Sequence, residues 1–417
     1  MSNRSKSKVF VLGDTLSALA VGRSLGRKGV FVIAGVEDLR APLRYSRYTT
    51  KFFDLPSYAS EPDKWRESIK KVLLEERPDL VIPASESVFV PFCTSLDYFS
   101  GLANFAIPDK NGFNNTFYKD KTIVIAKELE VPIPESFVIR NNKDLEKFFN
   151  VPPFSPPFMA KPVVSKIWID GYKLEFSAKK ADSLEEVKKY VYDYLPFAPI
   201  LVQQWISGVG VGQEFLCKDG EILLAFEHQR IHEPQGSGGS SLRKSVPLDQ
   251  RMLECSKKML GSLQWTGVAM VEYRKNLKTG DFVMLEINGR FWGSLPLAIE
   301  AGVDFPYSVY KLLAEGERIA LVEYKTGVSM RDLFDDLRFI TKSRGVLSAF
   351  LNLGLAKVRF LFGMEKWDAF TWDDTIPGLA EFWFVARSVF SAVLNRLSKI
   401  LSALFYCQLQ PEKIRKL

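Results

Sequence analysis

Histidine and cysteine are scarce in this chain of 417 residues. The two histidines are His228 and His232, and the four cysteines, Cys93, Cys217, Cys255 and Cys407, lie far apart. No Cys-x-x-Cys pair occurs, so neither a zinc site nor a disulfide framework is indicated. No Ser-His or Cys-His constellation for nucleophilic catalysis stands out, and two histidines disfavour an imidazole metal centre. The first residues, Met1 to Lys8, are polar and basic and lead straight into a strand. They contain no apolar signal-peptide core, which makes the cytoplasm the expected compartment. No uninterrupted run of about 20 apolar residues is found, so a transmembrane helix is not expected. The charge excess is mild: 56 basic against 49 acidic residues give +7. That suits anionic ligands or an acidic membrane surface and does not argue for nucleic acid. Glycine is also missing where a dinucleotide fingerprint would need it. Gly13 follows the first strand alone, with Asp14-Thr15-Leu16 behind it, which speaks against a nicotinamide or flavin site.

What is present is a core-forming composition, 47% hydrophobic and 25% charged, in a chain long enough for two or three domains. Val9-Phe10-Val11-Leu12 reads as a buried strand. A helix from Thr15 to Arg27 and a second strand, Val30 to Ala34, complete a β-α-β unit and imply a parallel sheet. A helix from Trp65 to Glu76 and a strand from Asp79 to Pro83 continue the pattern. The polar Ala84-Ser85-Glu86-Ser87 follows at a strand's carboxyl end, where open α/β sheets bind ligands; a helix cap explains it equally well.

The richest stretch runs from Gly267 to Ser294. Two apolar segments flank Asn276 to Asp281 and read as a β-hairpin. Glu272 lies on the first strand and Glu286 and Asn288 on the second. Residues two apart share a strand face, so Glu286 and Asn288 point the same way and Arg290 would continue the row. A carboxylate inside an apolar strand needs a compensating charge, and three oxygen donors on one face suit a hard divalent cation. A similar argument singles out Lys161, a lone ammonium within the apolar Phe158 to Val164.

The Glu272, Glu286-x-Asn288 pair, the Lys161-Pro162 strand and the phrase Glu286-Ile287-Asn288-Gly289-Arg290-Phe291-Trp292-Gly293-Ser294 resemble the ATP-grasp superfamily, in its carboxylate–amine ligase-like branch. The likeness extends from about Val9 to Gly316. It implies an α/β architecture. A Rossmann-like parallel-sheet domain (1–110) would precede a two-lobed ATP-grasp module (111–318, lobes 111–198 and 199–318) and a mostly helical C-terminal extension (319–417). It also implies ATP with Mg²⁺, or Mn²⁺, the metal held by Glu272, Glu286 and Asn288. Lys121, on the Asp120-Lys121 helix, and Lys161 are the expected phosphate-contacting lysines. Gln203, Gln204, Trp205 and Ile206 would form the hinge that reads adenine, and Glu214 would meet the ribose hydroxyls. Without the flanking motifs, Lys121 reads as a surface lysine and Gln203-Gln204 as an edge-strand polar pair. The segment after Lys161, Ser165 to Gly171, holds one glycine where relatives have a glycine-rich phosphate flap.

His228, Arg230 and His232 alternate on one strand face and enter the glycine-rich 235–241 loop. Arg230 and Arg243 are the candidates for the substrate carboxylate, and Arg290 for the charge that develops during phosphoryl transfer. The alternative is a solvated strand with an exposed loop. The expected function is an ATP-dependent ligase that activates a small-molecule carboxylate as an acyl phosphate and joins it to an amine. The rival is a catalytically silent ATP-binding scaffold. The C-terminal runs, 345–362 and 380–405, are rich in Leu, Phe and Val. Faces of that kind pack onto the protein or a partner more often than they lie on a membrane. Self-association and peripheral membrane contact through this segment are the further partner expectations.

Overall fold

The computed structural model of the chain describes residues 7–234 and 239–387. The N-terminal sheet is parallel throughout, in the order β3-β2-β1-β4-β5. Its strands are β1 (Lys8–Leu12), β2 (Phe31–Val36), β3 (Thr49–Asp54), β4 (Leu80–Pro83) and β5 (Asn104–Phe105). Consecutive β1 residues are all buried because helices cover both faces. Val9 and Val11 pack toward the Leu16–Arg27 helix, and Phe10 and Leu12 toward Trp65 and Ile69 of the Pro62–Glu76 helix. The strand order reverses between β1 and β4. There Gly13, at φ +139°, passes so close to Ser85 that a Cβ would lie 3.0 Å from its Oγ. That is the position for ligands in open α/β sheets.

The second sheet is antiparallel, in the order β10-β7-β11-β6. It comprises β6 (Ser136–Ile139), β7 (Phe158–Pro162), β10 (Lys179–Ala181) and β11 (Ile200–Gln204). Phe158, Ala160, Ile200 and Val202 turn to one face and are buried with the Asn142–Asn150 and Leu184–Tyr194 helices. Alternation therefore turns Lys161, Leu201 and Gln203 to the other face. Between β7 and β10 stands a separate hairpin, β8 (Lys166–Ile169) with β9 (Tyr172–Glu175). Its two-residue turn uses Asp170 (φ +50°) and Gly171 (φ +81°), the left-handed pair that a tight hairpin requires. The segment with one glycine is thus a β-hairpin flap and not a loop.

The third sheet has seven strands, in the order β16-β15-β12-β13-β14-β17-β18. These are β12 (Val209–Lys218), β13 (Glu221–His232), β14 (Leu242–Ser245), β15 (Gly267–Lys275), β16 (Phe282–Asn288), β17 (Ser329–Arg331) and β18 (Lys366–Trp367). One face buries Phe215, Val271 and Tyr273 against the Gln250–Ser262 helix. The other changes character along its length. At one end Leu216, Phe226 and Met270 join the core of the parallel sheet and the Leu295–Ala301 helix. At the other end the same face carries Glu272, His228 and Arg230.

Beyond the Phe305–Leu313 helix the chain is mostly helical, with Leu333–Arg344, Val346–Leu361 and a helix over 376–387. It also lends the sheet β17 and β18. Buried ion pairs tie this segment down. Arg23 of the first domain binds Asp374 at 2.8 Å and the carbonyls of Asp368 and Ala369. Arg331 holds Glu365 at 2.6 Å and pairs with Asp336. Most of the 380–405 run lies outside the described residues, as does most of the glycine-rich loop.

Candidate active site

The hairpin of β15 and β16 pairs Glu272 directly with Glu286, so both carboxylates leave the same sheet face. Each is held by cations from a different element. The Arg230 guanidinium donates to Glu272 Oε2 at 2.6 Å. The Lys119 and Lys161 ammonium groups lie 3.8 Å and 3.9 Å from Glu286 Oε2. Asn288 Nδ2 donates to Glu272 Oε1 at 2.9 Å, and Asn288 Oδ1 accepts from Arg290 at 3.2 Å. The strand ends at Asn288 because Gly289 runs under Trp265, where a Cβ would sit 2.5 Å from the indole. Arg290 is therefore off the strand. Its guanidinium still reaches Asn288 and, at 2.9 Å, Glu86 of the first domain.

Electrostatics in the cluster follow from burial and these neighbours. Burial pushes the Glu286 carboxyl up, but Lys119, Lys161, Arg230 and Arg290 outweigh it and hold it down to about 2. Burial lowers Lys161, opposed by Glu286. For Arg230 burial also lowers the value, but Glu272, Glu233 and Glu286 prevail and the net shift is upward. Glu286 is thus an anion and Arg230 a cation at neutral pH. The site brings more fixed positive charge than its carboxylates neutralise, which suits a polyanion.

Two glycines make room for this arrangement. A Cβ on Gly210 would lie 2.6 Å from Arg230 Cδ, and one on Gly212 would lie 2.4 Å from His228 Cε1. The Gly210, Gly212 alternation lets the long β13 side chains lie across β12. The flap closes the cleft on the side of the parallel sheet. Lys166 and Lys173 approach Ser87 Oγ at 3.1 Å and 3.4 Å, and Trp168 meets Tyr58 edge to face.

Three of the expected site residues lie away from the carboxylate cluster. Lys121 is exposed, its ammonium over the Tyr118 ring at 4.9 Å. Lys119, two residues earlier at the first position of its helix, faces the cluster instead. It is buried, donates to Ser165 Oγ at 2.7 Å, and its N–H bonds the Val163 carbonyl beside Lys161. Two residues along a helix turn a side chain to the far side, so only one of these two lysines can face the cluster. Glu214 is wholly buried against Ser294 Oγ (2.6 Å) and His228 Nδ1 (2.9 Å). Arg243 is also buried. It donates to Asp368 Oδ1 at 2.5 Å and to the Gly293 carbonyl at 3.1 Å, so it braces the C-terminal segment.

Around the expected hinge, Gln203 Nε2 donates to Ser136 Oγ at 3.0 Å. The N–H groups of Gln204 and Trp205 are taken by the carbonyls of Glu135 and Pro157, whereas the Ile206 N–H has no partner among the described residues. The Trp205 ring lies near Lys180 and Arg274. Sequence reasoning missed Glu233, whose carboxylate accepts from the Gly210 N–H at 2.8 Å and from Arg274 at 2.9 Å. Its position just beyond the end of β13, next to His232, was the signal available.

The donors fit a divalent cation bound together with phosphates. Among the described residues no three His, Cys, Asp or Glu side chains converge on one point. Two facing carboxylates and an amide oxygen therefore offer a partial, all-oxygen shell, as expected for Mg²⁺ shared with a nucleotide.

A family model described as ATP-grasp in the biosynthetic pathway with Ter operon matches residues 196–335. A D-aspartate ligase from Enterococcus faecium is 21% identical over 326 residues, covering 70% of this chain and 73% of that protein. The N5-carboxyaminoimidazole synthetase of Staphylococcus aureus superposes with a TM-score of 0.62 at 14% identity, over 82% of this chain and 87% of that one. An L-amino acid ligase from Bacillus licheniformis gives a TM-score of 0.56 at 16% identity, over 79% of each chain. The parallel sheet and the two further sheets that face each other across the cleft agree with the fold of these structures, and residues 196–335 are similar to the ATP-grasp family.

Proposed function

We propose that the protein couples ATP hydrolysis to ADP and phosphate with amide formation between a small-molecule carboxylate and an amine. The carrying observation is the cluster in which Lys119, Lys161, Arg230 and Arg290 surround the facing Glu272 and Glu286. With Glu86 on Arg290, four cations meet three carboxylates, and the surplus charge supports the binding of a triphosphate here.

In this reading Lys119 and Lys161 leave Glu286 to bind phosphate oxygens, and the Ile206 N–H meets the adenine edge. Glu233 is placed to accept from the ribose hydroxyls, the role first expected of Glu214. Mg²⁺ held by Glu272, Glu286 and Asn288 would neutralise charge on the phosphates. Arg230 fixes the Glu272 carboxylate through its 2.6 Å bond. Arg290 faces the γ-phosphoryl position and stabilises negative charge as a substrate carboxylate oxygen attacks phosphorus and ADP departs. The acyl phosphate is then attacked at carbon by a free amine. Phosphate leaves, the amine loses a proton, and an amide remains. The β8–β9 flap, resting on Ser87, would exclude water from the acyl phosphate. Glu86 at the switch point of the parallel sheet fits the ammonium of the incoming amine. The ATP requirement suits a cytoplasmic site of action.

The test is ADP release from Mg-ATP with purified protein, pooled carboxylates and pooled amines, beginning with D-aspartate and other amino acids. ADP formation that requires both pools and vanishes in Glu286→Ala supports the ligase. Tight Mg-ATP binding without turnover in any combination refutes it.

A further inference from the structure

The Val346–Leu361 helix is inverted relative to an ordinary surface helix. Its buried side is narrow and made by Ala349, Ala356 and Phe360. The opposite side is apolar and open among the described residues. Leu347, Leu351, Leu355, Val358, Leu361 and the following Phe362 lie between 49% (Val358) and 75% (Leu347) exposed. Their spacing of three and four residues places them in one stripe along the helix. Lys357 and Arg359 border that stripe on its two flanks, both exposed and neither paired among the described residues. The helix contains no Asp or Glu. On the buried side, Phe360 is covered by Trp367 at 4.4 Å and Trp372 at 5.5 Å.

We propose that this face docks on an anionic phospholipid surface, making the protein peripheral to a membrane. Two physical features choose this occupant. Long basic side chains on both borders of an apolar stripe let their charges reach headgroups while their stems follow the acyl boundary. A second copy of the chain is disfavoured by charge, because a self-complementary contact would face Lys357 and Arg359 with their own copies and no carboxylate on the helix to pair with. No helix among the described residues is long and apolar enough to cross a membrane, so the contact lies in the interface plane. The proposal is independent of the ligase reading.

The experiment is co-sedimentation of the full chain with phosphatidylcholine vesicles and with phosphatidylcholine/phosphatidylglycerol vesicles. The expected result is binding to the anionic vesicles that weakens as salt is raised. Leu351→Glu/Leu355→Glu should lower the partition at least tenfold. Lys357→Glu/Arg359→Glu should lower it roughly tenfold or more on anionic vesicles and far less on neutral ones. Both pairs are exposed, and each variant should keep its melting temperature and Mg-ATP affinity. Failure of the wild type to sediment with vesicles overturns the proposal, as does equal sedimentation of the leucine variant. A doubling of solution mass that the leucine variant loses, without vesicle binding, assigns the face to a second copy and overturns it too.

Discussion

Replacing Glu286 by glutamine tests the electrostatic account of the site in the absence of any ligand. The Glu286 carboxylate faces Lys119 and Lys161 at 3.8 Å and 3.9 Å, and its neighbours hold it down from the usual 4.5 to about 2. A carboxyl with a depressed value stabilises the fold fully above its unfolded value, and that stability is lost as pH falls through the folded value. The drop corresponds to about 3 kcal/mol. Glu286→Gln keeps the shape and removes the charge, leaving two ammonium groups facing an amide. At pH 7 without nucleotide the variant should melt several degrees below the wild type, since about 1 kcal/mol moves a domain of this size by 2–4 °C. The gap should narrow below pH 4.5, as the unfolded wild-type chain takes up a proton on Glu286 that the folded state still resists. Thermal unfolding at pH 7, 5 and 3.5, followed by circular dichroism, measures this. Equal or higher stability of the variant at pH 7 would refute the reasoning, because it would mean that mutual repulsion of the cations, and not their attraction to Glu286, is already balanced elsewhere.

Three further outcomes follow from named contacts. Lys119→Ala should weaken Mg-ATP binding by about 10- to 100-fold, the range of a charged hydrogen bond, whereas Lys121→Ala should leave it unchanged; calorimetric titration separates them. Gly212→Ala sets a Cβ 2.4 Å from the buried His228 ring and should destabilise by about 1–3 kcal/mol, read as a lowered melting temperature. Asp332 is pushed up to about 7 by burial and by Asp368 and Asp335, so its cost to stability appears as pH rises from 4 toward 7 and is complete above it. Asp332→Asn retains an acceptor for the Asp335 N–H, which Asp332 now caps at 3.1 Å. It should therefore raise the melting temperature at pH 8 and change little at pH 4.

The parts of the site visible in the chain were those in which a charged residue interrupts an apolar strand. Glu272, Glu286 and Lys161 could be singled out because a lone charge in such a run demands a partner, and strand periodicity put Glu286 beside Asn288. Helix phase was not visible in the same way. Tyr118-Lys119-Asp120-Lys121 offers two lysines, and where the helix starts decides which one enters the cleft. Burial was not visible either at Glu214, whose expected ribose contact came from the family likeness alone. Glu214 shares a face with Glu272, but that face passes from the open cleft into a packed core within one residue pair, and the helix that buries it begins 81 positions later, at Leu295.

Periodicity and the expense of burying charge made the doubly wound start, the hairpin and the lone charges Glu272, Glu286 and Lys161 legible in the chain, and the quoted motifs carried the family likeness. The three-dimensional fold added the rest: it turned Lys119 and not Lys121 toward the carboxylates, engaged Arg243 with Asp368 across 125 positions, brought Glu86 to Arg290 and left the Val346–Leu361 helix with its leucines outward. Each is a contact between distant segments, and local pattern carries no record of which partner will be near.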